Sequence, residues 1–91
     1  MSLDELRAEV DRLDAELVAL LNRRAACTRQ IGEAKRRDRL PVADSRRESQ
    51  VQERVAALNR GPLSPEALRD IYRGIIDACR NLQEQEKSAG R

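Results

Sequence analysis

The sequence predicts an all-α protein with three helices per chain that functions as an oligomer. Charged residues make up 37% of the 91 residues, whereas the chain has only 4 Gly and 3 Pro, a balance that favours helices. Apolar residues recur at intervals of three and four along most of the chain, which is the helical period. No segment alternates as a half-buried strand does. A chain of 1–91 has room for a single domain with a modest core.

The first helix is predicted over about residues 3–38. Ser2 and Glu5 have the spacing of a capping box at its start, and Pro41 prevents it from continuing. The apolar stripe continues along the whole helix. It comprises Leu3, Leu6, Val10, Leu13, Leu17, Leu20, Cys27, Ile31 and Ala34.

Two shorter helices follow, over about 45–59 and about 65–85. Either Asp44 or Ser45 would cap the second helix, and a Ser-Pro pair typical of helix starts precedes the third. The last residues, 86–91, are expected to fray into a polar tail.

The length of helix 1 predicts an intertwined homodimer. At 1.5 Å per residue, about 35 residues span roughly 52 Å, whereas a compact chain of this size has a radius of gyration near 12 Å. Helix 1 therefore extends beyond the core of one chain, and its apolar stripe must be buried by something else. A second copy of the chain, related by twofold symmetry, is the simplest way to bury it. The alternative is a hinge near Gly32 that folds helix 1 back on itself.

The composition excludes several kinds of chemistry. With no histidine, Ser-His and Cys-His nucleophiles and most transition-metal sites are absent. Cys27 and Cys79 lack metal-ligand spacing, and both are expected to be small buried residues. We therefore expect no transition-metal site. Neither a signal peptide nor a membrane span is evident, so the expected location is the cytoplasm and no membrane partner is expected.

Polar residues stand out in or beside the apolar stripes at three positions, and Arg7 is a further candidate. Arg24 occupies a heptad a position, and no carboxylate lies three or four residues from it. It is therefore either an interhelical ion pair or register device, or part of an anion site. Lys35 shares its helix face. Gln83, on the edge of the third stripe, is either buried and hydrogen-bonded or faces water. Arg7 lies roughly 26 Å from Arg24 along the helix, so it reaches the same site only from a second protomer.

The chain resembles the small all-helical chorismate mutases. The resemblance is carried by LRAEVDRLDAELVALLNRR (6–24), IGEAK (31–35), PVADSRRE (41–48) and IYRGIIDACRNLQ (71–83). It implies rearrangement of chorismate to prephenate in Phe and Tyr synthesis, in an interlocked dimer whose two sites each draw on both chains. This reaction needs no nucleophile, metal or cofactor.

The resemblance also assigns roles to individual residues. Arg24 and Arg7 of the second chain would hold carboxylates, and Lys35 and Gln83 would donate hydrogen bonds to the ether oxygen, where negative charge develops. The remaining assignments concern substrate binding: Glu48 and Asp44 at the ring hydroxyl, Arg47 near the carboxylates, and Cys79 where family members have a serine that touches a carboxylate.

Four other functions compete with this interpretation. Isochorismate-pyruvate lyases and aminodeoxychorismate mutases are similar to this family, and segment 44–48 should distinguish them. The basic segment 23–39 could bind nucleic acid, but Arg24 lies in the seam and aromatic residues for base stacking are lacking. A structural coiled coil is disfavoured by the Pro- and Gly-punctuated second and third helices.

Overall fold

The computed structural model describes residues 1–89, and these residues form three helices: α1 (Leu3–Arg37), α2 (Ser45–Leu58) and α3 (Pro65–Ala89). Helix α3 packs against both α1 and α2. The predicted all-α class and the three-helix order are confirmed. Helix α1 runs without interruption, so the alternative of a hinge near Gly32 is wrong.

The helix starts follow from local capping. At α1, the Ser2 side chain accepts from the Glu5 backbone N–H, and the Glu5 carboxylate accepts from the Ser2 N–H, which lowers the pKa of Glu5. At α2, Asp44 is the N-cap and accepts from the Arg47 N–H at 3.1 Å, which decides between the two predicted caps. Ser45 is the first helical residue.

The end of α3 differs from the sequence prediction. The helix continues to Ala89, so the prediction of a frayed tail is wrong for residues 86–89, and residues 90–91 lie outside the described residues. The Glu86 carboxylate pairs with Arg29 of α1 at 3.1 Å, a contact between helices that the local sequence does not reveal. Helices α1 and α2 each end one residue earlier than expected, at capping residues Asp38 and Asn59.

The buried part of the protomer is small and lies at one end of the molecule. Val42 and Cys79 are the buried hydrophobic residues of the described chain, and Gln83 and Gly32 are buried beside them. Cys79 is buried as predicted. Cys27 is exposed, so its predicted burial is wrong for the protomer.

The first two thirds of α1 project from this core as an apolar arm. Its stripe is exposed, with Leu3 62% and Leu17 55% accessible. The protomer measures 54 × 25 × 14 Å, and its radius of gyration is 16.2 Å, against about 12 Å for a compact chain of this length. An apolar surface of this extent marks an interaction site.

A helix-ending motif leads from α1 into the loop before α2. The Leu40 N–H bonds to the Lys35 carbonyl at 2.7 Å and the Arg39 N–H to the Arg36 carbonyl at 3.2 Å, the pattern of a Schellman motif. Arg39 takes the left-handed conformation, with φ of 58°, that this motif requires. A side chain at this position is strained, because its Cβ lies close to the backbone.

We expect Arg39→Gly to raise the free energy of unfolding by about 0.5–1 kcal/mol. Glycine relieves the left-handed strain, and part of this gain is offset by its greater freedom in the unfolded chain. Denaturant unfolding followed by circular dichroism measures the difference. Arg39→Ala is the control, because it removes the same guanidinium but keeps a Cβ. Equal stabilities for the two variants would contradict this explanation.

Candidate active site

A cavity of about 130 Å³ lies where α1, α3, the start of α2 and the preceding loop meet. Seven of the eight residues predicted from the sequence line it: Arg24, Lys35, Asp44, Arg47, Glu48, Cys79 and Gln83. The eighth, Arg7, lies in the projecting arm of α1 and does not line it. Ile31 also lines the cavity and is 50% exposed, so the cavity is open along this part of α1.

Lys35 is held by the loop that follows its own helix. Its Nζ donates to the Val42 carbonyl at 2.8 Å. Val42 is only 5% exposed, so the carbonyl acceptor is fixed by the packing of its side chain. An ammonium has three donors, and this bond uses one of them. The other two remain for a molecule in the cavity.

Arg24 contacts a neutral partner on α3. Its Nη1 lies 3.3 Å from the Cys79 Sγ. Sulfur is a weak acceptor, so this contact orients the guanidinium without neutralising it. The alternative of an interhelical ion pair has no partner among residues 1–89, where no carboxylate pairs with Arg24. The charge in the seam is therefore available to an external anion.

Gln83 is 6% exposed and hydrogen-bonded, so the alternative in which it faces water is wrong. Its Nε2 donates to the Thr28 carbonyl of α1 at 2.6 Å. Because a carbonyl oxygen can only accept, its partner must be the amide nitrogen of Gln83. This bond therefore fixes the positions of Nε2 and Oε1 in the side-chain amide. The second hydrogen on Nε2 remains for a ligand acceptor.

Gly32 makes room for this arrangement between α1 and α3. A Cβ at position 32 would lie 3.1 Å from Gln83 Cγ and 3.5 Å from its Cβ. Any side chain there would push Gln83 by a few tenths of an ångström, against the bond that anchors its amide. The glycine in the middle of α1, which costs about 1 kcal/mol relative to alanine, is thereby explained by this close approach.

The first turn of α2 forms the rim of the cavity. Asp44 caps the helix through the Arg47 backbone N–H, which leaves the Arg47 side chain free. The Glu48 carboxylate accepts from Arg80 Nη1, at 3.1 Å to Oε2 and 3.4 Å to Oε1. Arg80 also donates through Nη2 to Asp77 at 2.9 Å. Arg80 lines the cavity, and the sequence analysis missed it.

The electrostatic character of the cavity is cationic. Among the described residues, no carboxylate pairs with Arg24, Lys35 or Arg47. Glu48 is already paired with Arg80. Three unpaired cations around one small space, with an amide donor at its wall, suit a compact ligand that carries more than one negative group. No group of His, Cys, Asp or Glu within residues 1–89 has the arrangement to hold a metal ion.

A second, larger depression of about 590 Å³ lies between α2 and α3. Glu48 and Ile76 line both spaces, so they form part of the wall between them. This groove lacks the three unpaired cations and the buried amide, and it includes four carboxylates, from Glu48, Glu53 and others. The smaller cavity, rather than this groove, therefore has the chemistry of an anion site.

The fold and the cavity define an all-helical protein with a cationic site between its first and third helices. The sequence matches the family described as chorismate mutase type II over residues 6–84. This chain belongs to that family.

Known relatives agree with this assignment. A bifunctional chorismate mutase/prephenate dehydratase of Aquifex aeolicus is 43% identical over 91 residues, which cover 96% of this chain and 25% of that protein. The intracellular chorismate mutase of Mycobacterium tuberculosis is 54% identical over 33 residues, or 36% of this chain and 31% of that protein. This chain thus spans about a quarter of the length of the bifunctional relatives it matches.

The fold also has a solved counterpart. The structure of chorismate mutase form II from Thermus thermophilus superimposes with a TM-score of 0.90 at 32% sequence identity, covering 92% of this chain and 96% of that one. Form I of the same protein gives a TM-score of 0.82.

We expect Gly32→Ala to displace the Gln83 amide. The added methyl meets the Gln83 side chain, so the Nε2 resonance of Gln83 in a ¹⁵N–¹H spectrum should shift and its hydrogen bond to Thr28 should weaken. Gly74→Ala in α3 is the matched control, because a Cβ there meets nothing within 4 Å. The control should raise the free energy of unfolding by about 0.5–1 kcal/mol, and Gly32→Ala should gain less. An unchanged Gln83 resonance would refute the close-packing role of Gly32.

Proposed function

We propose that this chain catalyses the rearrangement of chorismate to prephenate, as an isomerase in Phe and Tyr synthesis. One observation carries the proposal: Arg24, Lys35 and Arg47 line one cavity together with the buried Gln83 amide, and none of the three cations has a carboxylate partner within residues 1–89. Chorismate carries two carboxylates, a ring hydroxyl and an enol-ether oxygen, which correspond to these groups.

This rearrangement is accelerated by electrostatic stabilisation of its transition state and by orientation of the substrate. One C–O bond of the ether breaks while one C–C bond forms, in a cyclic shift of electron pairs that transfers no proton and changes no oxidation state overall. Negative charge builds on the ether oxygen as the C–O bond lengthens. The unused hydrogens of Lys35 Nζ and Gln83 Nε2 would donate to this oxygen, and they stabilise the transition state more than the substrate.

The remaining polar residues would bind and orient the substrate. The guanidinium groups of Arg24 and Arg47 match carboxylates in two-point contacts, and the Cys79 thiol beside Arg24 borders the same position. Glu48 would accept from the ring hydroxyl, with Asp44 close by. Holding a flexible substrate in the compact conformer that the cyclic transition state requires lowers the entropic part of the barrier.

The proposal includes a twofold homodimer whose two sites are each completed by Arg7 of the other protomer. The exposed apolar stripe of α1 supports it, because a second copy would cover that surface. The opening of the cavity at the half-exposed Ile31 supports it too, since the arm of a second protomer could close this side. Within one chain, Arg7 lies too far along α1 to reach Arg24.

We place the reaction in the cytoplasm, without a nucleic-acid or membrane partner. None of the helices described within residues 1–89 is long and apolar enough to cross a membrane, and the M. tuberculosis relative is described as intracellular. Nucleic-acid binding is disfavoured because Arg24 and Lys35 are half-buried around a cavity rather than displayed on an outer face.

Lys35→Ala should lower kcat for prephenate formation by about 10²–10³-fold, because it removes one donor at the developing oxyanion. Lys87→Ala is the matched control: it removes the only other lysine, which is exposed near the end of α3, and it should retain full activity. Circular dichroism should show the same helix content for both variants. Prephenate is quantified chromatographically after incubation with chorismate, and retained activity in Lys35→Ala would overturn this role.

The same assay with isochorismate separates the sister activities. Prephenate from chorismate with no pyruvate from isochorismate is the expected result. Pyruvate from isochorismate, with chorismate left intact, would instead assign the chain to the lyases.

Mixing two inactive variants should restore activity if Arg7 acts across the dimer. In a heterodimer of Arg7→Ala and Lys35→Ala, one site carries both substitutions and the other carries neither. Random exchange of equal amounts gives half heterodimers, and therefore about one quarter of the wild-type activity. If Arg7 serves the site of its own chain, each site in the heterodimer carries one substitution and mixing restores nothing.

A further inference from the structure

Arg80 joins two carboxylates at the boundary between the cavity and the α2–α3 groove. Its Nη1 contacts both oxygens of Glu48 on α2, and its Nη2 contacts Asp77 one turn earlier on α3. The contact to Asp77 fixes the direction of the guanidinium along α3. The contact to Glu48 then joins α3 to the rim of the cavity on α2.

The stability of the fold does not account for this network. The side chains of Arg80 and Glu48 are 36% and 32% exposed. Ion pairs with this much access to water typically contribute no more than about 1 kcal/mol. The more specific consequence is the position of the Glu48 carboxylate.

Without Arg80, the surroundings of Glu48 would attract its carboxylate into the cavity. Arg47, the adjacent residue, and Arg24 across the cavity both lack a carboxylate partner within residues 1–89. A free Glu48 would therefore act as an internal anion at the place where an anionic substrate binds. Arg80 counters this attraction by holding both Glu48 oxygens from the α3 side.

We infer that Arg80 is a positioning residue that withdraws the Glu48 carboxylate from the cationic cavity and so keeps the cavity available to a dianionic substrate. This inference rests on the proposed function. The carboxylate keeps unused lone pairs while it accepts from Arg80, so it can still accept a hydrogen bond from the hydroxyl of the substrate. Arg80 acts on binding through Glu48 and does not itself touch the reacting atoms.

The effect is expected in KM rather than in kcat. Self-occupation by Glu48 competes with the substrate before the reaction and leaves the donors Lys35 and Gln83 in place. Arg80→Met should therefore raise KM for chorismate about 10-fold and change kcat less than about 3-fold. Arg80→Lys keeps a cation near Glu48 and should restore part of the affinity.

The double variant Glu48→Gln/Arg80→Met provides the decisive measurement. A glutamine has no charge to compete with the substrate, so the double variant should have a lower KM than Arg80→Met alone. A merely structural role for Arg80 predicts that Glu48→Gln leaves the KM of Arg80→Met unchanged, because substitutions of two residues in direct contact do not add and the charge of Glu48 would not be the cause of the loss. Arg73→Met is the matched control: it removes an exposed arginine of α3 that lacks an ion pair within residues 1–89, and it should leave KM unchanged.

The steady-state constants of these variants and the wild type distinguish the possible failures. Wild-type turnover of chorismate, with KM lowered on adding Glu48→Gln to Arg80→Met, supports the inference. Wild-type turnover with a KM in Arg80→Met equal to that of the Arg73→Met control, or with a KM in the double variant that is no lower than that of Arg80→Met, overturns the inference alone. A wild type that leaves chorismate unchanged overturns the proposed function and this inference together.

Discussion

The site depends on holding positive charges close together without neutralising them. Arg24 and Lys35 lie on one face of α1, and their immediate partners, a thiol and a backbone carbonyl, carry no net charge. Cations placed this way repel each other, so the surrounding structure must fix them. An anion that enters the cavity relieves this repulsion and therefore binds more tightly. The cations are already in place, so binding requires no reorganisation of the site. Carboxylate partners at the same positions would stabilise the empty cavity and block the ligand.

Each neighbouring element supplies one of the neutral partners. The Schellman motif turns the chain after α1 and brings the Val42 carbonyl back to Lys35. Lys35 lies in the last turn of α1, seven residues before Val42. Helix α3 brings Cys79 to Arg24 and Gln83 to the Thr28 carbonyl, with contacts one helical turn apart. The small core at this end of the molecule consists largely of these supports. The polar side chains of the cavity are therefore held in place even though the protomer buries little apolar surface.

Much of this arrangement can be predicted from the sequence, because helical periodicity and capping are local. The bounds of α1 and α2 follow from Ser2, Pro41 and Asp44 to within a residue, and Arg24 stands out as a charge in an apolar seam. What could not be predicted depends on contacts between helices. Glu86, in the last part of α3, pairs with Arg29 of α1, and Arg80 reaches Glu48 across 32 positions of sequence. A glycine in α1 indicates close packing, but only the fold identifies Gln83 as the neighbour.

The two carboxylates at the rim illustrate how one residue can serve folding and function together. Asp44 uses a carboxylate oxygen to cap α2, and the helix it starts places Arg47 and Glu48 within its first turn. A cation, Arg47, and an anion, Glu48, thus reach the cavity from one short segment. The two side chains stay apart only if the Glu48 carboxylate is bound by another residue. Arg80 provides that hold from α3, whereas Arg47 is left without a carboxylate partner within residues 1–89. Selectivity for an anionic, hydroxyl-bearing ligand would then arise from which cation is paired and which is left free, rather than from the total charge of the cavity.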